Sequence, residues 1–199
     1  MYDFEKARRI PFTDEMLRAI DEGRKTETRR PIRLMRDGQP AKCIYGDRGD
    51  LLLATGWHVF LDAEGNVCED KARRDRILYR VDWTGDPQVD EWRPPMFLPK
   101  DWANRYLANL GTEKEKLRSI TEQQAIAEGI METSTVIKGF KHHVYRWEES
   151  GTNYGCAVAA FRSLWDSIHE ERGLLFDTNP DVWRVKFKKL EVKNGRESS

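Results

Sequence analysis

The sequence predicts an α+β domain in which a small β-barrel carries short helices at its mouth. Three observations carry that reading. Short helical patterns and short strands follow one another without the regular β-α-β succession of a parallel sheet. No linker separates two self-sufficient apolar sets. No internal repeat or low-complexity tract occurs. The chain therefore reads as a single domain over 1–192, with insertions near 56–98 and 131–154 and a frayed tail at 193–199.

Each element has a local cause. Residues 13–22 form the first predicted helix: Thr13 caps it, Asp14 and Glu15 suit its positive end, and Met16, Leu17 and Ile20 recur at helical spacing. Gly23 supplies the left-handed residue that ends it. The stretch RKTETRRPIRL follows as a polar loop or strand stopped by Pro31. Residues 45–50 are a turn that delivers the chain into a short buried strand at 51–54. Ile77, Tyr79, Val81 and Trp83 alternate with Leu78, Arg80, Asp82 and Thr84, which is mostly strand spacing. The proline-rich loop at 85–99 carries Trp92, Met96 and Phe97, which are expected to pack on something. Residues 103–118 read as a strand pair or bent strand with Tyr106, Ala108 and Leu110 on one face. Thr121 opens a second short helix that ends near Gly129, and 131–154 reads as an irregular polar insertion. The clearest helix spans 157–170, where Ala157, Ala160, Phe161, Leu164, Trp165 and Ile168 form one stripe. A last strand alternates Trp183, Val185 and Phe187 with Arg184, Lys186 and Lys188. Trp83, Trp165 and Trp183 are expected in the core.

Composition narrows the class. The 199 residues hold 34 Lys and Arg against 34 Asp and Glu, with 34% charged, 39% hydrophobic and 11% aromatic residues. That aromatic share is too high for a disordered chain. No apolar run approaches the roughly 20 residues that span a bilayer, and the N-terminus lacks the apolar stretch of a signal peptide. Cys43, Cys68 and Cys156 form no C-x-x-C pair, so neither a disulfide framework nor a zinc site is indicated. A reduced, cytoplasmic protein without membrane association is expected.

The balanced total hides a local excess. Residues 24–36 hold Arg24, Lys25, Arg29, Arg30, Arg33 and Arg36 against the single acid Glu27, a local charge of +5. Such a patch beside a helix end either attracts phosphate or forms a solvated face. Inside it, Gly23, Lys25, Thr28 and Arg30 fall on a Gly-x-Lys-x-x-(Glu or Thr)-x-Arg pattern. That pattern resembles the signature of the ASCH family, relatives of the PUA domain. The resemblance continues at Gly46-Asp47-Arg48-Gly49-Asp50, in the helix at 121–129 and in the strand at 182–190. Trp92 to Pro95 and Leu164 to Ile168 are similar to segments of the longer ASCH-like proteins of bacteriophages and prophages.

The resemblance implies a PUA-like β-barrel flanked by helices, and it implies a chemistry. Small ASCH enzymes that release acetate from N4-acetylcytidine use a Lys, a Thr three residues later and a Glu in the second helix. Lys25 and Thr28 match the first two, and aligning Thr121, Glu122, Ala125 and Glu128 puts Glu128 on the third. By that analogy Thr28 is the nucleophile, Lys25 the proton acceptor and Glu128 the proton donor. Arg24, Arg29 and Arg30 would lower the Lys25 pKa and stabilise an oxyanion or phosphate. The blander roles are a strand Thr, a phosphate-binding Lys and a Glu on a polar helix face.

Tyr45 and Trp57, near the turn and strand beside the motif, are the stacking candidates for a base. His142 and His143 point apart on a strand and have no third ligand at metal spacing. No metal or cofactor is indicated. Three functions compete: a nucleotide- or RNA/DNA-binding module that reads a modified base, an amidohydrolase acting on an N4-acylated cytidine, and a ribonuclease-like accessory protein. All three take a nucleoside, a nucleotide or a nucleic acid as partner.

Overall fold

The computed structural model describes residues 3–137, 140–147 and 151–191. It is a mixed α/β fold with nine strands and three α-helices among the described residues: β1 (Arg8–Pro11), α1 (Asp14–Asp21), β2 (Glu27–Pro31), β3 (Leu51–Thr55), β4 (His58–Leu61), β5 (Arg76–Tyr79), β6 (Tyr106–Lys116), α2 (Glu122–Ala127), β7 (Met131–Ile137), β8 (Phe140–Arg146), α3 (Ala157–His169) and β9 (Asp181–Lys189). Five strands form one sheet in the order β1-β3-β6-β9-β2, parallel only between β1 and β3. Strands β1 and β2 are its edges, so the backbone ladder itself is open. The pairs β4–β5 and β7–β8 are separate two-stranded ribbons. Among the described residues no helix is long and apolar enough to cross a membrane.

The capped helices form where the local signals put them. The Thr13 hydroxyl accepts from the Met16 amide, and Gly23 takes φ +76° just past the end of α1. Thr121 and Gln124 close a reciprocal capping box on α2. Helix α3 lacks a capping side chain at Cys156; the Glu122 carboxylate, reaching from α2, accepts from the Ala157 amide at 2.6 Å. The first turns of α2 and α3 are thereby tied together.

Two cores share the sheet. Ile10, Phe12, Leu17, Leu52, Leu107, Val185 and Phe187 belong to the first. Leu117, Ala125, Phe161, Leu164, Trp165, Phe176 and Val182 belong to the second, under α2 and α3.

Several expectations change. The segment 131–154 is not wholly irregular, because β7 and β8 pair in register from Met131↔Arg146 to Ile137↔Phe140. Thr133, Ser134, Thr135 and Val144 suit a strand, yet the half-buried face of β7 carries Met131, Thr133 and Thr135, so no apolar alternation reveals it. Strand β5 stops at Tyr79, and Arg80–Asp82 turns as a 3-10 helix, so Trp83 lies outside the core. Met96 and Phe97 are exposed, and so is Leu110. A bulge between Asn109 and Gly111, with Gly111 at φ +150°, shifts the β6 register there and turns Leu110 away from Tyr106 and Ala108. Ile168 is also exposed, and Trp183 is only half-buried, whereas Trp165 is buried.

The end of α3 carries a titratable group. His169 is buried against the Trp165 ring, with centroids 4.2 Å apart, and its Nδ1 has no hydrogen-bond partner among the described residues. Burial, reinforced by Arg172 and Arg30, pushes its pKa from 6.5 down to about 4. The unfolded chain therefore binds this proton first. Stability is full above pH 6.5 and is lost as pH falls through the interval toward 4. The loss should be on the order of 1–2 kcal/mol once solvent around the ring is allowed for. Urea unfolding at pH 7 and pH 4.5 measures it. His169→Phe should show a smaller drop than the wild type; an equal drop would assign the acid sensitivity to carboxylates alone.

Candidate functional site

The segment after α1 is fixed by backbone bonds to three elements. The Lys25 amide donates to Ala19 O at 2.9 Å, the Thr26 amide to Ala127 O at 2.8 Å, and the Phe187 amide to Thr26 O at 2.9 Å. Gly129, at φ +103°, closes α2 where a Cβ would stand 3.3 Å from Ala19 Cβ and 3.5 Å from Lys25 Cβ. A side chain there would be strained by its backbone and would crowd the Lys25 stem.

Lys25 is fully buried, and its Nζ donates to Glu128 Oε2 and to Glu128 O, both at 2.7 Å. Glu128 is the residue that ends α2, so the ammonium also satisfies an orphan carbonyl at the helix terminus. The other carboxylate oxygen, Oε1, accepts from Arg29 Nη1 at 3.2 Å. Arg29 is held in turn by Glu115 Oε1 at 2.7 Å and Gln124 Oε1 at 3.1 Å. Glu27 Oε2 lies 3.7 Å from it. Glu128 thus bridges two buried cations.

Electrostatics follow from that geometry. Burial pushes the Lys25 ammonium below its ordinary range, and Glu128 opposes this. Arg30 and Arg29 add smaller pushes in the downward direction. The neighbouring arginines therefore act in the expected sense, with desolvation as the larger cause.

Strand β2 alternates. Thr28 and Arg30 share one face, in register with Val185 and Trp183 on β9, while Arg29 points to the other. Thr28 is buried. Arg30 packs 5.1 Å from the centroid of the Phe12 ring, and Lys25 Nζ lies 6.0 Å from that same centroid. One Arg30 nitrogen donates to Pro11 O, while its buried Nε has no hydrogen-bond partner among the described residues. Tyr45 packs against the first core.

The structure therefore brings Lys25, Glu128 and Arg29 into one cluster and sets Arg30 beside it across Phe12. Arg24 is different: it donates to Glu22 at 2.6 Å and to Gly129 O at 3.1 Å, at the rim of a cavity of about 20 Å³ also lined by Glu128, Met131 and Trp147. That space admits a water molecule and no more. Trp57 does not join the cluster. Arg80 covers its ring at 5.2 Å and pairs with Asp14, at the end of α1 remote from Lys25. Neither reading of the +5 run holds in full, because Lys25 and Arg29 are internal and neutralised by Glu115 and Glu128 from distant segments. Glu115 and Gln124 were missed by sequence reasoning; one sits in an alternating charged run, the other reads only as a helix cap.

His143 Nδ1 meets Glu132 Oε1 at 2.8 Å on the exposed β7–β8 ribbon. Among the described residues there is no group of three or more His, Cys, Asp or Glu arranged to hold a metal ion. Cys43, Cys68 and Cys156 are free, and Cys68 is buried. Comparison with protein-family models, with curated proteins and with solved structures finds no match to this chain.

Proposed function

We propose that this chain is an ASCH-type protein of PUA-like fold, of the kind phages and prophages carry, that hydrolyses the amide of an N4-acylated cytidine in the cytoplasm. The observation that carries the reading is the buried contact between Lys25 Nζ and Glu128 Oε2 at 2.7 Å. The PUA-like assignment draws support from Arg30, which spans from edge strand β2 to Pro11 on edge strand β1, as in a sheet curled toward closure.

The buried Lys25–Glu128 ion pair holds one proton between two groups, and burial, by pushing the Lys25 ammonium down, eases passage of that proton to Glu128 to give amine and acid. In that form Lys25 Nζ takes the proton of Thr28 Oγ1 as the oxygen attacks the acyl carbonyl. Glu128 gives its proton to the departing N4, so cytidine leaves neutral and the acyl group stays on Thr28. Water then attacks the ester. Glu128 takes one of the water's protons, Lys25 gives its own to Thr28 Oγ1 as the acyl–oxygen bond breaks, and the acyl group leaves as acetic acid, which restores both the Thr28 hydroxyl and the uncharged pair. The unpartnered Arg30 Nε, on the same strand face as Thr28, is the available donor for the oxyanion.

A second reading has its own support. The second bond of Lys25 Nζ, to Glu128 O, is a structural helix cap, which suits a non-catalytic reader of a modified base. Acetate release from N4-acetylcytidine separates the two. Thr28→Val should reduce turnover to background, by roughly 10³-fold or more, with far-UV circular dichroism retained. Turnover surviving in Thr28→Val would remove the nucleophile assignment. Binding without acetate release in the wild type would decide for the reader.

A further inference from the structure

The cavity of about 20 Å³ beside the cluster has walls from two parts of the chain. Met16, Ala19 and Leu164 stand on α1 and α3, whereas Met131 and Trp147 belong to the segment 131–154. Glu128 reaches the cavity between them. A nucleoside needs roughly 300 Å³ or more, so on this side nothing larger than water fits against Glu128.

The segment that closes the cavity is built apart from the sheet. Strands β7 and β8 pair with each other, and among the described residues neither joins the five-stranded sheet. Past β8 the chain folds back: the Tyr145 amide donates to Tyr154 O at 2.9 Å, and the Tyr154 amide donates to Tyr145 O at 2.8 Å. Tyr145, Trp147 and Tyr154 lean on the second core and are themselves only half-buried. Two of these rings meet at one point on α3. Ser163 Oγ accepts from the Tyr154 hydroxyl at 2.7 Å and from Trp147 Nε1 at 3.4 Å. A two-stranded ribbon has little stability of its own, so side-chain contacts of this kind decide whether it stays down.

We propose that β7, β8 and the return through Trp147 and Tyr154 form a cover over the Lys25–Glu128 pair, latched in the empty protein by the Ser163 hydroxyl, and that the ligand enters by lifting it. The proposal rests on the preceding reading for the ligand, an N4-acylated cytidine, and not for the cover. With a nucleoside against Glu128, Trp147 and Met131 have no room to return, so the bonds to Ser163 exist only in the empty protein. Removing such bonds tightens binding, because a larger fraction of the protein is already open when the ligand arrives. A hydroxyl with a purely structural role has the opposite effect or none.

Trace acetylation of the full chain by acetic anhydride, read at Lys25 by mass spectrometry, tests the cover without any nucleoside. Ser163→Ala removes both bonds and should label Lys25 about tenfold faster than the wild type. Tyr154→Phe removes one bond and keeps the ring, and should label it about threefold faster. Lys42 and Lys114, both exposed, should label at unchanged rates. Amide exchange in the β6–β9 ladder should be unchanged as well. Lys25 labelling that stays at the wild-type rate overturns the proposal. So does labelling that rises only in step with exchange in that ladder, since Lys25 is then reached by global unfolding alone. Turnover of N4-acetylcytidine is measured on the same variants, and KM should fall by similar factors at constant kcat. Turnover with KM unchanged or raised overturns the proposed route of entry. Absence of acetate release from every variant, with Lys25 labelling still accelerated, removes the hydrolytic reading and supports the cover.

Discussion

Glu128→Ala should destabilise the protein by about 3–5 kcal/mol, lowering the melting temperature by roughly 10 °C. The carboxylate is the only acid in contact with the buried Lys25 ammonium among the described residues, and it also holds one arm of Arg29. Removing it leaves a buried cation without its counter-ion. Arg29 keeps Glu115, so the greater part of the loss falls on Lys25. Lys25→Met behaves differently: it removes the charge and leaves Glu128 with Arg29, at the cost of the cap on α2. Its penalty should stay under about 2 kcal/mol. Urea denaturation of the two variants measures the contrast. Equal losses would mean that Lys25 and Glu128 are not energetically coupled in the folded state.

Phe161→Ala should cost a further comparable amount, about 3–5 kcal/mol, by opening a cavity in the second core. The ring is buried and packs on Trp165 and Phe176, with centroids 6.1 and 6.4 Å away. It also underlies the site, because the Arg29 guanidinium lies 6.0 Å from its centroid. Phe161→Leu, which refills most of the volume, should cost markedly less. The denaturant slope should remain that of the wild type in both. A Phe161→Ala loss below about 1 kcal/mol would show that α3 collapses onto the gap and that the core is not tightly packed there.

What the chain discloses about itself depends on distance. Helices α1, α2 and α3 are readable because caps and apolar spacing act within a few residues, as at Thr13, Thr121 and the Phe161–Trp165 stripe. The pairing of Lys25 with Glu128 is readable only through a motif resemblance, since no local rule joins positions so far apart. Glu115 and Gln124 stay hidden for the same reason: nothing in a charged strand or a capped helix names Arg29 as the partner. Two errors have a single kind of cause. Alternation read along one strand assumes an even register, and the Gly111 bulge breaks it, turning Leu110 outward. In β9 the buried positions are Val182, Val185 and Phe187, so the periodicity slips between the two cores and Trp183 falls at the margin. The β7–β8 ribbon fails differently, because its half-buried face carries Thr133 and Thr135 in place of large apolar residues and so leaves no hydrophobic alternation.

The position of β9 between β6 and β2 has a kinetic consequence. Among the described residues, strand β2 finds its only ladder partner in β9, through Thr28↔Val185 and its neighbours. The loop that this pairing closes is among the longest the chain can make, and such contacts form late and slowly. A growing polypeptide can already hold Lys25, Thr28, Arg29 and Glu128 and still lack the strand against which β2 is built. The pairing of β2 with β9 should therefore form last, lagging behind helix formation during refolding.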